Sequence, residues 1–250
     1  MPFTASHIAA ILPLQRTRLP LAALVVGAMV PDAPLFAGVD AYAQTHSLLG
    51  TLTTDALIGA VLLTAWRSLW RQPTLWTLPN AIRARWPDQR EAAKGWLWLY
   101  LGLVVGSMTH VLWDGWTHRS GTFVELFPLL RLRAPRVDVP IYKLLQWSSS
   151  ILGLFATTVW FALRPIRPIH DHRPIAILSS DQVRTLGWAA LIGASVTIGL
   201  AWTERTSGLQ ASGGAFFSLV TRSCIAWLVL WSIAAVALRV GVRRMKLVVR

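Results

Sequence analysis

Residues 95–118 read GWLWLYLGLVVGSMTHVLWDGWTH, and this stretch is the clearest indication of the fold. A helix that crosses a bilayer needs about 20 mostly apolar residues. Residues 95–116 meet that requirement, with His110 and Asp114 as their two ionisable side chains apart from Tyr100. Further apolar stretches of similar length are 46–66, 144–163, 185–203 and 215–238. The sequence therefore predicts an all-α, polytopic membrane helix bundle with about five spanning helices.

The composition supports a membrane protein and argues against other classes. Of the 250 residues, 54% are hydrophobic and 14% are charged, whereas soluble domains carry about 25% charged residues. Fourteen tryptophans accompany three tyrosines, and indole rings favour membrane interfaces. A net charge of +13 would indicate nucleic-acid binding in a soluble protein. Here the basic residues lie between apolar runs, so we expect no nucleic-acid partner.

Two short segments precede the first long apolar stretch. Residues 5–14 predict a short N-terminal helix with Thr4 or Ser6 as its N-cap. The apolar run from Leu19 to Val30 is too short to span and is followed by Pro31-Asp32-Ala33-Pro34. That pattern favours a re-entrant or interfacial helix.

The basic residues predict the orientation of the chain. If the short apolar run does not cross, the segments on the far side of the membrane are 67–94, 164–184 and the tail from Arg239. These segments hold fifteen of the twenty-four basic residues. The positive-inside rule makes that side cytoplasmic and places the C-terminus there.

Ionisable side chains cluster near the outer end of the 95–116 helix. Steps of four residues advance about 40° around a helix, so one winding stripe contains Gly102, Gly106, His110, Asp114 and His118. The glycines allow close approach of a neighbouring helix, and imidazole and carboxylate groups are zinc ligands. By themselves, His110 and Asp114 favour a structural role, in which they hydrogen-bond to each other and to nearby backbone.

Other polar residues on the same predicted membrane face favour a metal site. His7 starts the first helix, Asp32 follows the short apolar run, and His46 opens the 46–66 helix. We therefore predict a metal site built from His7, Asp32, His46, His110, Asp114 and His118. Asp55 lies about 180° around the helix from His46, which favours a structural hydrogen bond within the bundle.

The order of these six residues resembles the ligand order of the zinc-dependent phospholipase C and single-strand nuclease superfamily, whose members are all-α. It is more similar to bacterial membrane-embedded relatives of that superfamily, the inner-membrane metal-dependent hydrolases and a neighbouring, largely uncharacterised family. The stretches that carry the resemblance are Pro2–His7, Pro31-Asp32, His46–Gly50, His110-x-x-x-Asp114-x-x-x-His118 and Tyr142–Gln146.

The resemblance implies a first ion held by Asp32, His46, His110 and Asp114. Asp114 would bridge to a second ion that His7 helps to bind, and His118 matches a histidine that binds a further ion in the soluble enzymes. The later His and H-x-x-x-E ligands of those enzymes have no counterpart here. We therefore expect one or two divalent ions, with zinc as the first choice.

The resemblance also implies a function, that of a metal-dependent hydrolase in the bacterial inner membrane, and the predicted topology puts its site on the extracytoplasmic side. Water activated by the metal would cleave a phosphoester of a phospholipid or another lipid-linked phosphate, and Asp32 or Asp114 would orient or deprotonate that water. Tyr142 and Lys143 are candidate substrate contacts, because a lysine binds phosphate as a point charge. Snorkelling of Lys143 to lipid headgroups is the alternative.

Two other functions are compatible with the same residues. In a transporter, the His/Asp cluster would form an ion or proton path, but the later helices lack a second broken segment to match the first. In a haem-binding membrane protein, the histidines would be axial ligands, and the aspartates would have no role. Because the resemblance ends near residue 163, we expect a metal-site helical domain over 1–163. Residues 164–250 would supply a cytoplasmic loop and two C-terminal transmembrane helices of the same bundle.

Overall fold

The computed structural model describes residues 3–87, 95–169, 175, 178, 180–207 and 213–248. It is 80% helical, and the pairing of Arg133 with Pro140 is an isolated bridge within the described residues. The predicted all-α class is therefore confirmed. In chain order the α-helices are α1 (Ile8–Ile11), α2 (Leu21–Gly27), α3 (Ala33–Phe36), α4 (Tyr42–Thr45), α5 (Leu48–Leu52), α6 (Thr54–Ala65), α7 (Arg71–Thr77), α8 (Asn80–Arg83), α9 (Trp96–Thr117), α10 (Thr122–Leu126), α11 (Ile141–Ala162), α12 (Asp181–Ser207) and α13 (Gly213–Val248). Short 3₁₀ turns cover Thr4–His7, Leu12–Arg16, Val30–Asp32 and Pro128–Arg131, and a π-helical turn covers Trp66–Trp70.

The long helices confirm the predicted multi-pass membrane protein. Five helical stretches of the described chain are long and apolar enough to cross a bilayer. They are Leu48–Thr77, Trp96–Leu126, Ile141–Ala162, Asp181–Thr206 and Ala215–Met245. Leu21–Phe36 is apolar but shorter, as predicted for the run that begins at Leu19.

The chain divides into two compact units. Unit 1 comprises Met1–Leu63 and Pro87–Arg164, and unit 2 comprises Thr64–Trp86 and Pro165–Arg250. Residues 64–86 therefore belong with the two C-terminal helices, whereas the sequence placed them with the metal-site domain. Long-range hydrogen bonds within unit 2 connect residues 64–86 to the two C-terminal helices. The Trp70 indole N–H donates to Ser232 Oγ at 3.0 Å, the Trp188 indole N–H donates to the Thr77 carbonyl at 3.0 Å, and Arg239 Nε donates to the Leu69 carbonyl at 2.9 Å.

The starts of the unit 1 helices follow from local sequence. α2 begins directly after Pro20 and α11 directly after Pro140, because proline suits the first turn, where no backbone N–H is needed. Ser47 caps α5, since its Oγ accepts the Gly50 N–H at 2.9 Å. The predicted N-cap at Thr4 or Ser6 is wrong: Phe3 occupies that position without a side-chain hydrogen bond.

Helices α2 and α9 pack backbone to backbone, which confirms the close approach predicted from the glycine stripe. A Cβ atom at Gly106 would overlap the Leu24 carbonyl and lie 2.8 Å from the Ala28 nitrogen. At Gly102, a Cβ atom would lie 2.8 Å from the Ala23 Cβ. Because neither position carries a side chain, the end of α2 lies directly against α9 at the height of His110.

The end of α9 corrects one detail of the predicted stripe. The helix ends at Thr117, and His118 has an extended backbone with φ −114° and ψ 146°. His118 therefore does not continue the helical face of His110 and Asp114. The chain then turns back closely over the end of α9, because a Cβ at Gly121 would overlap the Gly115 carbonyl and lie 2.9 Å from the Asp114 carbonyl oxygen.

The α2–α9 contact predicts a difference between two Gly→Ala substitutions. Gly106→Ala should destabilise the protein by about 1–3 kcal/mol, because the added methyl group overpacks a backbone contact. Gly193→Ala is the matched control: on α12 a Cβ at this position meets no described atom within 4 Å. Since alanine favours helix over glycine by up to about 1 kcal/mol, the control should be neutral or stabilising. Unfolding of both variants in mixed-detergent titrations measures the difference, and equal stabilities would contradict the packing.

Candidate metal centre

Four segments of unit 1 bring the six predicted site residues together. His7 lies at the end of the first 3₁₀ turn, Asp32 at the end of the turn after α2, and His46 between α4 and α5. His110 and Asp114 lie one turn apart on α9, and His118 follows that helix. Five of the six are less than one-tenth exposed in their side chains, and His118 is 14% exposed.

Asp114 lies at the centre of the cluster, with each carboxylate oxygen facing different histidines. Its Oδ2 is 3.3 Å from His46 Nε2 and 3.5 Å from His110 Nε2. Its Oδ1 is 3.4 Å from His7 Nε2. This carboxylate therefore has the position of a ligand that could be shared between two ions.

Asp32 closes the cluster on the side of α2. Its Oδ1 lies 3.7 Å from His110 Nε2 and 3.8 Å from His46 Nε2. Its Oδ2 accepts a hydrogen bond from Thr4 Oγ1 at 2.7 Å. Because Thr4 holds one oxygen, the other is left directed at the two imidazoles.

The surrounding backbone fixes the orientation of two imidazoles. His110 Nδ1 lies 2.8 Å from the Ala28 carbonyl, which can only accept, so Nδ1 carries the proton and Nε2 presents a lone pair to the cluster. His46 Nδ1 lies 3.2 Å from the Tyr42 carbonyl, which assigns the same tautomer. Hydrogen bonds of this kind to the second ring nitrogen orient histidines that bind metals.

Thr45 ties the two segments that carry His46 and Asp32 to each other. The Thr45 side chain is fully buried, and its Oγ1 donates to the Pro31 carbonyl at 2.9 Å. The same oxygen lies 3.1 Å from His46 Nδ1. One hydroxyl thus sets the spacing between the two ligand-bearing turns.

The atoms that face the centre have no hydrogen-bond partner. They are His7 Nε2, Asp32 Oδ1, His46 Nε2, His110 Nε2 and both carboxylate oxygens of Asp114, and all are buried. A buried polar atom left unpaired costs about 1–3 kcal/mol, and more when it is charged. Several such atoms around one point therefore need a common partner.

A divalent cation fits this need. Asp32, His46, His110 and Asp114 each offer one ligand atom, and these four atoms all lie within 4.8 Å of one another. The imidazole–carboxylate distances of 3.3–3.8 Å exceed the 2.7–3.2 Å of a hydrogen bond. They match the roughly 3.3 Å that separates ligand atoms around a tetrahedral zinc with bonds of about 2.0–2.1 Å. The cluster could hold a metal ion.

His7 extends the cluster in a neutral form. Its ring stacks on that of His110, with centroids 3.7 Å apart and an interplanar angle of 14°. Burial, together with the neighbouring His110, lowers the pKa of His7 to about 3. Only the neutral imidazole binds a metal, so His7 is available as a ligand throughout the physiological range.

Three predicted site residues have other surroundings. His118 Nδ1 lies 3.5 Å from Asp114 Oδ2 but also 3.2 Å from the Asp114 carbonyl, and its Nε2 is 3.3 Å from Gln146 Nε2. His118 therefore lies at the edge of the cluster, and its ring also contacts the Asp114 carbonyl and the Gln146 side chain. Tyr142 and Lys143 start α11 half-buried, and neither makes a hydrogen bond or ion pair with the cluster in the described part of the chain.

Thr4 and Tyr42 belong to the site although sequence reasoning gave neither a role there. Thr4 was considered only as a helix cap, and its contact with Asp32 joins residues 28 positions apart. Tyr42 stacks on His46 with ring centroids 3.8 Å apart. The four-residue spacing of Tyr42 and His46 was the one sequence signal for this contact, since it places both rings on the same side of a helical turn.

Asp55 has the structural role that its position predicted. Its Oδ2 accepts a hydrogen bond from Ser107 Oγ at 2.5 Å, which joins α6 to α9. The carboxylate is therefore used between helices and is separate from the group of four ligands.

Comparison with known proteins assigns a family. Residues 1–240 match DUF4184, a domain of unknown function, and the chain belongs to that family. No curated protein and no solved structure matches the chain.

The Thr4–Asp32 contact predicts that a residue outside the ligand set controls metal affinity. Thr4→Val removes the hydrogen bond that orients Asp32 and should weaken zinc binding about 10–100-fold. Thr17→Val is the matched control, because the Thr17 hydroxyl makes local contacts away from the cluster: it donates to the Leu14 carbonyl and accepts from the Leu19 N–H. Competition with a chelating indicator measures both affinities, and an unchanged value for Thr4→Val would show that this contact does not position a ligand.

Proposed function

We propose that this DUF4184 chain is an integral membrane metal-dependent hydrolase that cleaves a phosphoester, with one or two zinc ions in the Asp/His cluster. The observation that carries the proposal is the set of buried, unpaired imidazole and carboxylate atoms that face one point. Ionisable residues at membrane depth are costly and are kept for function. The resemblance of the ligand order to the phospholipase C and nuclease superfamily supports the same reaction class.

The donor set favours zinc over other common divalent ions. Magnesium and calcium prefer oxygen ligands alone, whereas two imidazoles and two carboxylates suit zinc. Asp32, His46, His110 and Asp114 would hold the first ion. A second ion would lie between Asp114 Oδ1 and His7, which are 3.4 Å apart.

The chain's own residues have distinct tasks in such a reaction. A divalent cation would supply Lewis acidity, which acidifies water and offsets the negative charge of a phosphoryl group. Asp114 has both oxygens directed at histidines and is therefore suited to holding metal. Asp32 would bind the ion through Oδ1, while Oδ2, which Thr4 holds in place, would orient a water molecule and accept its proton.

We propose that the cluster faces the extracytoplasmic side of a bacterial inner membrane, with the C-terminus in the cytoplasm. The first spanning stretch starts at Leu48, directly after His46, and α9 ends directly after Asp114. Both helices therefore have the cluster at the same end. The basic residues concentrate in the segments at the opposite ends, which the positive-inside rule assigns to the cytoplasm. A substrate at this depth is a phospholipid or another lipid-linked phosphate.

The geometry does not favour the two alternative functions. A haem held by two axial histidines needs its macrocycle between the two rings, but His7 and His110 stack directly at 3.7 Å. A proton or ion path needs polar groups that continue across the bilayer. Towards the other end of α9, Ser107 donates a hydrogen bond to Asp55, but the stripe of the cluster itself continues with Gly106 and Gly102, both of which pack against α2.

The proposed activity predicts a paired loss of metal and turnover. Asp114→Asn conserves volume but removes the central charge. We expect zinc content and hydrolysis of bis(4-nitrophenyl) phosphate to fall by more than the roughly 10–100-fold cost of losing an outer-shell partner. Asp138→Asn is the control, because this carboxylate is 82% exposed and pairs only with Arg133. Elemental analysis, release of 4-nitrophenol and mass spectrometry of headgroups freed from a lipid extract provide the readouts. Equal turnover in both variants would refute the assignment, and ion flux in liposomes by metal-free protein would favour transport.

The proposed orientation predicts the accessibility of two engineered cysteines. Cys224 is the single cysteine of the chain, so Cys224→Ser provides a background for Val39→Cys or Arg244→Cys. Val39 is 55% exposed near Asp32, and Arg244 is exposed on α13. A membrane-impermeant maleimide should label Val39→Cys in spheroplasts and Arg244→Cys only after permeabilisation. The reverse labelling pattern would show that the protein has the opposite orientation in the membrane.

A further inference from the structure

A groove of about 540 Å³ lies on unit 1 between the ends of α9 and α11. Trp113 and Trp116 form its wall on α9, and Leu152 and Ala156 form its wall on α11. Ala9 of α1 also lines the groove. The volume falls in the range of roughly 300–1,000 Å³ that is typical of ligand sites.

The lining of the groove is predominantly apolar. Its hydroxyl groups donate within their own helices: Ser148 to the Leu145 carbonyl at 3.2 Å, Ser149 to the Gln146 carbonyl at 3.1 Å, and Thr117 to the Trp113 carbonyl at 3.3 Å. The remaining lining is hydrocarbon, indole and glycine backbone. The chemistry therefore suits an unbranched apolar chain.

The groove opens on an exposed apolar surface that a bilayer would contact. Leu152 is 63% exposed and Trp116 is 42% exposed, and both lie in stretches long and apolar enough to span a membrane. Side chains exposed on such stretches face lipid, so an acyl chain can enter from the side without crossing water. Since lipid tails are as apolar as the groove, shape and van der Waals packing would select the occupant.

The groove shares its inner wall with the metal cluster. Thr117 lines the groove and its Oγ1 is 3.3 Å from His118 Nδ1. Ala9 follows His7 by two positions, and at Gly153 a Cβ would lie 2.7 Å from the Ser6 carbonyl. The segment that presents His7 to the cluster is therefore packed directly against the α11 side of the groove.

We infer that this groove holds an acyl chain of a membrane lipid while the polar head of that lipid lies at the metal cluster. One consequence of this inference rests on the proposed function. If the protein is a phosphoester hydrolase, its substrate is a bilayer lipid, and a water-soluble phosphoester is a poorer substrate. Trp116 stacks on Phe123 with centroids 4.3 Å apart, which holds the rim of the groove in place for such a chain.

A photoreactive lipid tests the groove independently of catalysis. The full-length protein is placed in nanodiscs containing phosphatidylethanolamine with a diazirine in one acyl chain, and the labelled peptides are mapped. We expect labelling to concentrate on residues 145–156 of α11. Ala156→Trp fills the groove and should lower this labelling at least fivefold, whereas Ala162→Trp, an equal change at an exposed position on the same helix, should not. Labelling spread evenly along α11, or unchanged in Ala156→Trp, would overturn the inference.

Turnover separates failure of the groove from failure of the proposed function. Ala156→Trp should retain zinc and hydrolyse bis(4-nitrophenyl) phosphate at the wild-type rate while losing activity on the lipid by at least tenfold. Asp114→Asn should show the opposite pattern, with normal acyl labelling and no hydrolysis. If the wild-type protein labels in the groove but hydrolyses neither compound, the groove stands and the hydrolase proposal fails. If wild type and Ala156→Trp hydrolyse the lipid at the same rate, and also bis(4-nitrophenyl) phosphate at the same rate, the groove inference fails while the hydrolase proposal stands.

Discussion

The contact between α2 and α9 supports the whole candidate site. At Gly106 the two backbones touch because no side chain separates them, and this brings the Ala28 carbonyl within 2.8 Å of His110 Nδ1. That hydrogen bond fixes the tautomer of His110 and aims Nε2 at the two aspartates. The same contact places the turn after α2, and with it Asp32, beside α9. A larger residue at Gly106 would separate the helices and disturb both ligands together.

The charges at this point suit the site to a cation. Two buried carboxylates repel each other in a medium of low dielectric constant, and removing them from water is costly unless they are paired. The structure pairs only one of their four oxygens by a hydrogen bond, that of Thr4 to Asp32. The other three face imidazole nitrogens at 3.3–3.8 Å. A divalent ion offsets the repulsion and satisfies these atoms at once.

The Asp/His cluster and the apolar groove lie within unit 1, but the family match extends beyond it. The DUF4184 match continues to residue 240 and therefore includes α12 and most of α13. The described residues of unit 2 hold no group of three or more candidate metal ligands. Their polar contacts include hydrogen bonds between helices, such as that of Trp70 with Ser232. The described residues of unit 2 thus belong to the family's architecture without adding a second centre of this kind.

The sequence alone determined the fold class and the number of spanning helices, because length and hydropathy are local properties that a bilayer imposes on each stretch. Helical periodicity also placed His110 and Asp114 on one face with the glycines. Tertiary structure decided what periodicity cannot reach. It brought Thr4 onto Asp32 across 28 residues, rotated His118 off the helix, and left Lys143 away from the ligands. It also joined residues 64–86 to the last two helices. These contacts depend on which segments pack against each other, and packing between segments distant in sequence cannot be read from local sequence patterns.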